Sequence, residues 1–230
     1  MTTEHEVLGA LAGVRDPEID EPLTDLRFVG AVRVDGASVT VRLRLPTYFC
    51  APNFAYLMVE DARAAVAALS GVAEVEVALD DHFASDEINA AVGGDGGFET
   101  AFPGETSGEL EELRDLFSRK ALTARQGRMI DRLLRAGRSR EQVAAMRVAD
   151  LEPGPDAARC LELRRELGLD ASLAAPAIVT PEGERVGAED LERYLRVARL
   201  VRVSLEGNAG LCRALLKTRY GIDDPEEVAA

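Results

Sequence analysis

Three cysteines are spread along this chain of 230 residues, and Cys50 stands in the stretch LPTYFCAPNFAYLM, between a strand-like run and a helical one. Pro52 suits a first helical position, where its missing N–H would be unpaired in any case, so Cys50 is expected at or just before a helix start. Unpaired amides and the positive end of the helix dipole favour negative charge there, which makes Cys50 a candidate nucleophile or soft-metal ligand. The competing reading is a small buried apolar residue, the ordinary state of a free cysteine. Cys160 in AARCLELRREL and Cys212 in NAGLCRALLKTRYG lie on helical patterns and are expected to be buried. An odd count, wide spacing and no CxxC pair leave disulfide stapling and a self-contained zinc site without support. His82, after Asp80-Asp81, is expected in a solvated loop and His5 in a mobile terminus, so a thiol enzyme built on Cys50 has no evident base. No Walker loop and no GxGxxG after a strand are present, and nucleotide binding has no basis.

The elements that must position Cys50 are legible on either side of it. EHEVLGALAGV has the spacing of an amphipathic helix, closed by the turn residues of RDPEIDEP, and LTDLRFVGAVRV alternates as a strand. Asp35-Gly36 signals a hairpin, after which Val39, Val41, Leu43 and Leu45 share one face of a second strand. PNFAYLMVEDARAAVAALSG returns to helical spacing, and VAEVEVAL alternates as a third strand. The order helix, strand, strand, helix, strand predicts an α+β domain over 1–92, with two helices on one face of a small sheet. The glycine-rich stretch 93–108 is expected to be a linker, and 109–230 a mainly α-helical C-terminal domain with a small hairpin around Glu182-Gly183. Within it Thr123 and Asn208 are candidate helix caps, and Ser139 with Gln142 has capping-box spacing.

Charge is distributed unevenly. The net charge is −14, yet 118–149 holds nine basic and two acidic residues in a helix-Gly-helix cadence resembling a helix-turn-helix. Acidic flanks would repel phosphate, so Arg125, Arg128, Arg132 and Arg135 are expected to meet a protein partner and not nucleic acid. No apolar run is long enough to span a bilayer, and the N-terminus carries acidic residues where a signal peptide has basic ones. A cytoplasmic location without membrane contact is the expectation.

The DPE at Asp16 to Glu18, Asp25-Leu26 opening a strand pair, Thr47 and Cys50 at the strand-to-helix junction, then a helix and GVAEVEVAL, come in an order that resembles the metal-sulfur cluster biosynthetic family. That family includes the SufT-like and PaaD-like assembly factors. The likeness covers roughly the first 80 residues. It implies an accessory, chaperone-like protein and not an enzyme, with no catalytic residues of its own. Such a factor serves maturation of iron-sulfur or other iron-containing clients, an oxygenase component among them. It further implies that Cys50 touches transient iron or a cluster, with Asp16, Glu18 and Thr47 supporting its loop, although Asp16 reads chiefly as the residue that ends a helix and orders a turn. The chain departs from the pattern in the bulky pair Tyr48-Phe49 between the Thr and the Cys, and in Arg27 where glycine is common. One cysteine supplies one of about four cluster ligands. Either two subunits of a homodimer each contribute Cys50 with exogenous thiols, or the C-terminal cysteines join, or the protein is an adaptor that never holds metal. From a different class, a thiol- or iron-responsive DNA-binding regulator would use the basic helices.

Overall fold

The computed structural model describes residues 2–94, 97–104 and 107–222. By internal contacts the chain forms two units, one of Met1–Glu111 with Gly207–Ala230 and one of Glu112–Glu206.

In the first unit, Thr3 opens α1 (Glu4–Leu11) with a capping box: its hydroxyl accepts from the Glu6 amide while the Glu6 carboxylate accepts from the Thr3 amide. Val7 and Leu11 then face inward. β1 (Val29–Asp35) and β2 (Ser38–Arg44) form the expected antiparallel hairpin, whose two-residue turn needs Gly36 at φ +61°. α2 (Pro52–Ala67) carries the chain over to β3 (Glu74–Asp80), which pairs parallel to β2, so the sheet order is β1-β2-β3. Val39, Val41, Leu43 and Leu45 are all buried, against Ala55, Val59, Ala62 and Val66 of α2 in one core. Each such side chain contributes about 1.5–3 kcal/mol. On the opposite face Arg42 is half-exposed and pairs with Asp80 and Glu76. An α+β domain followed by a mainly helical region is therefore the observed class.

Two features depart from the sequence expectation. α3 (Ser85–Gly93) follows β3 and buries Ile88, Ala91 and Val92, and the Asn89 amide pairs with both backbone groups of Leu79 in the manner of a neighbouring strand. The stretch 93–108 contains α4 (Gly97–Ala101), whose Phe98 is buried 5.2 Å from the Tyr56 ring. Aromatic burial there offsets the weak helix propensity of the glycines. The division also differs from a break between 92 and 109, because the C-terminal turns of α8 (Leu191–Tyr220) place Ala209 and Leu216 in the first unit's core.

Arg27 has φ +59°, a left-handed conformation that costs a residue with a Cβ about 1 kcal/mol relative to glycine. Its carbonyl, not its side chain, is used, as acceptor for Arg44 Nε at 3.3 Å. Arg27→Gly is therefore expected to stabilise the chain by up to about 1 kcal/mol, seen as a higher urea midpoint. A lower midpoint would show that the side chain matters more than the strain.

In the second unit, α5 (Ser107–Arg135), which begins before the division, is one continuous helix and does not start anew at Thr123. Thr123 lies within it and donates to the Arg119 carbonyl at 2.9 Å instead of capping. α6 (Arg140–Ala145) begins at Ser139 with the expected capping box to Gln142, followed by a 3-10 turn (Val148–Asp150) and α7 (Pro155–Glu166). The expected hairpin is reduced to a turn with a single bridge, Val179 to Arg185. Leu122, Met129, Cys160 and Leu163 form one apolar cluster, and Ile130, Val143, Ile178 and Leu191 another. Arg164 is buried and orders the segment between α7 and this turn by donating to the carbonyls of Pro176 (2.9 Å) and Ala177 (2.6 Å).

Candidate functional site at the Cys50 junction

Cys50 lies two residues before α2, with Ala51 as the cap residue and Pro52 in the first turn. The cap has no side-chain hydrogen bond. Cys50 is half-buried, and its Sγ is 3.2 Å from Thr47 Oγ1, which also accepts from the Phe49 amide. Thr47 thus ties the loop to the sulfur.

His82 fixes the same loop from the other side. It is buried, not solvated, because both ring nitrogens find backbone partners: Nε2 donates to the Cys50 carbonyl at 2.8 Å and Nδ1 accepts from the Ala84 amide at 3.2 Å. This holds the ring neutral, and burial lowers its pKa further, with Arg219 adding to the effect against the Cys50 carbonyl. Tyr48, Phe49 and Phe83 make an aromatic ridge beside the cysteine, with ring centroids 5.0–6.4 Å apart. Phe49 is 77% exposed. The unusual aromatic pair in the sequence is therefore a surface feature joined by Phe83, not core packing.

Asp16 is buried and orders the turn after α1, its Oδ1 accepting from the amides of Glu18 (2.8 Å) and Ile19 (3.0 Å). Asp20 completes this turn with φ +58°. Burial pushes the Asp16 carboxyl up to about 6, the two amides opposing and Glu18 and Glu21 adding to the rise. Glu18 is half-buried, and its Oε1 accepts from Asn208 Nδ2 at 3.2 Å. Asn208 is therefore a cross-strut within a long helix, not a helix cap. Arg213 of the same helix pairs with Glu21, and Arg219 donates to the Leu45 carbonyl at 3.1 Å and to Asp81.

Between those struts lies Cys212. It is half-buried against the first unit's core, and its thiol is pushed up to about 12 by burial, then by the negative charge of Asp16, Cys50 and Glu18, with Arg213 opposing. Asp16, Cys50 and Glu18 thus act electrostatically on a second sulfur, which the sequence marked for burial with a share in cluster ligation as the alternative. The available signal was the spacing of Asn208, Cys212 and Arg219, which places all three on one side of α8. Among the described residues no group of three or more His, Cys, Asp or Glu side chains stands ready to cage a metal ion. The carboxylate oxygens are engaged by amides, whereas the two sulfurs are the soft donors suited to iron or a thiophilic ion.

The arginines expected to meet a partner are placed elsewhere and otherwise. Arg125, Arg128 and Arg132 all converge on Asp156, at 3.2, 3.1 and 2.6 Å. They complete an internal ion cluster; only Arg135 of the four has no such engagement on Asp156 and is exposed. α6 is six residues long, about 9 Å of helix. Arg125 and Arg128 are largely covered and spend their guanidinium groups on Asp156, while Arg132, paired to the same carboxylate, keeps an exposed flank.

The chain matches the family described as "Iron-sulfur cluster assembly protein" over residues 4–77. It is also similar to the uncharacterized protein MJ1129 of Methanocaldococcus jannaschii, 33% identical over 90 residues that make up 39% of this chain and 93% of that protein. No solved structure matches. Cys50, Thr47 and the Asp16 turn fall inside the matched region, and Cys212 falls outside it. No helix among the described residues is long and apolar enough to cross a membrane.

Proposed function

Since the chain belongs to the iron-sulfur cluster assembly protein family, we propose that it is an accessory factor, and not an enzyme, that passes iron or an iron-sulfur cluster to a client metalloprotein through Cys50. The observation that carries this reading is the half-buried Cys50 sulfur, 3.2 Å from Thr47 Oγ1 on a loop fixed by His82. Such a thiol is reachable, yet its backbone is held so that it can meet an incoming ligand without reordering the loop. Transfer of a metal between sulfurs is associative, so the recipient must come within bonding distance of Cys50 and in doing so cover Tyr48, Phe49 and Phe83. Exposed aromatics of this kind are the side chains that bury most area with least loss of freedom on association.

The cluster or iron is cargo, not a resident cofactor. An iron-dependent oxygenase component is the client class that the PaaD-like resemblance points to, and the setting is cytoplasmic. Co-production of such an oxygenase with the wild-type chain or with Cys50→Ser tests the reading by the iron and acid-labile sulfide content of the purified oxygenase. We expect the content to fall tenfold or more with Cys50→Ser while the variant's own urea midpoint stays put. Unchanged content in the client would remove Cys50 from the function.

A further inference from the structure

The open face of the sheet, where Arg42 pairs with Asp80 and Glu76, ends in a cavity of about 400 Å³ walled by Gly30 and Ala31 of β1, by Arg42 and Arg44 of β2, and by Tyr220. Most charges on its wall are spent. Arg42 Nε holds Asp80 at 3.2 Å, and Arg219 holds Asp81 at 3.2 Å with the Tyr220 hydroxyl on the same carboxylate. Arg44 differs. Its Nε donates to the Arg27 carbonyl at 3.3 Å, and its guanidinium carbon lies 5.3 Å from the centre of the Tyr220 ring. Its stem passes over Gly30, where a Cβ would come within 3.6 Å of Arg44 Cδ and 3.3 Å of the Arg42 carbonyl. The side chain is thus held along its stem, at Nε and against one ring, yet neither terminal nitrogen has a hydrogen bond or a carboxylate among the described residues. Ordering so long a side chain costs about 1.5–2 kcal/mol of rotamer freedom. A guanidinium ordered in advance, with terminal N–H groups unspent, is arranged to receive a carboxylate.

The adjoining wall is a strand edge. β1 is an outer strand of the sheet, and among the described residues its only backbone hydrogen-bonding partner is β2. Asp35 and Ser38 close the two-residue turn as a hydrogen-bonded pair, so alternation along β1 directs the amides and carbonyls of Val32 and Val34 outward. Such a row is a template for one more strand, and an extended peptide laid along it passes the cavity at Gly30 and Ala31.

We propose that this edge and cavity form a docking site for an extended acidic segment of a partner protein, which adds to β1 as a fourth strand and places a carboxylate on Arg44. The segment is acidic because Arg44 is the one charge on the cavity wall, among the described residues, without a counter-ion. It is extended because the wall beside Arg44 offers backbone groups at strand spacing. The site does not depend on the transfer role of Cys50. Asp81 adjoins His82, which fixes the Cys50 loop, so a partner held by such a segment is held next to that loop.

The test uses the reduced full chain and two fluorescein-labelled peptides, STVEVTS and STVQVTS, which differ only in the carboxylate. Anisotropy measures affinity, and NMR-detected hydrogen exchange reports on the outward amides of β1. We expect the acidic peptide to bind one per monomer and at least tenfold tighter than the neutral one, the scale of one charge-assisted pair, and to slow exchange at Val32 and Val34. Arg44→Gln should abolish the difference between the peptides, and Arg44→Lys, which keeps the charge without the planar fork, should restore part of it. Equal affinities on the wild-type chain would overturn the proposal, as would unchanged exchange at Val32 and Val34 in the complex. Displacement of the acidic peptide by an equal concentration of glutarate would assign the cavity to small carboxylates and overturn the docking role. Slowed exchange at Val32 and Val34 in a dimer that excludes the peptide would give the edge to a second copy instead. The comparison of the two peptides on the wild-type chain decides the matter even if an Arg44 variant fails to fold.

Discussion

Asp156→Ala is expected to lower the stability of the second unit by about 3 kcal/mol, near the lower end for removing one partner from a buried ion cluster. Asp156 is nearly inaccessible, and its oxygens receive Arg125, Arg128 and Arg132. Arg125 and Arg128 are themselves largely covered, so deleting the carboxylate removes a shared counter-ion from two partly buried cations; the half-exposed Arg132 can turn to water, which places the effect at the lower end. Burial alone would push the Asp156 carboxyl up, but hydrogen bonds and charge from Arg132, Arg128 and Arg125 outweigh it and hold it below the ordinary carboxylate range. The sign for pH follows. A carboxyl held low in the folded state contributes stability that is complete above the unfolded pKa, about 3.9, and lost as pH falls through the folded value. Urea midpoints at neutral pH and at progressively lower pH should therefore differ between wild type and Asp156→Ala by an amount that shrinks on acidification. A constant difference would mean that packing, not charge, sets the effect. Asp156→Asn, which keeps an acceptor but not the charge, is expected between the two.

Asp16→Asn carries the opposite sign and the next largest effect. The Asp16 carboxyl is raised to about 6, so between the unfolded value near 3.8 and about 6 the folded chain holds a proton that the unfolded chain has released. Stability contributed by this group is thus fully present at low pH and falls as pH rises through that window, by about 3 kcal/mol in all. An asparagine retains Oδ1 as acceptor for the Glu18 and Ile19 amides and has no charge to bury. The variant should be more stable than wild type at pH 7 by up to about 3 kcal/mol, with a flatter profile between pH 4 and 6. Equal profiles would show that the carboxylate is not desolvated. A buried carboxylate that weakens the fold at neutral pH is the kind of cost a chain retains at a working site.

What the sequence revealed of the first unit was what local pattern determines. The capping box at Thr3, the Gly36 turn, the alternation Val39 to Leu45 and Pro52 at the helix start each depend on neighbours within a few residues. α3 was not read because its few apolar residues make sense only against β3, where Asn89 pairs with Leu79. Asn208 and Thr123 carry the residue types of helix caps, but in a long helix the same groups can reach across or back to a carbonyl, and spacing does not distinguish those uses. His82 was misjudged because an acidic neighbourhood in sequence suggests water, whereas the partners of its ring are backbone atoms. Of the site, Cys50, Thr47 and Asp16 were visible through the ordered motif. The Asn208 contact to Glu18 was not, and in the second unit neither was Asp156, since each gains its role from residues tens to more than a hundred positions away.

That the first unit is closed by residues 207–220 has a consequence for how the protein is born. A chain leaving the ribosome presents Cys50 early, but the helix that covers its flank follows only after residues 112–206 have been made. At about 5–20 residues per second that interval is on the order of ten seconds. Throughout it Glu18 and the seats of Ala209 and Leu216 stand open, so the nascent first unit is most reactive toward metal and oxidant until residues 207–220 have joined it.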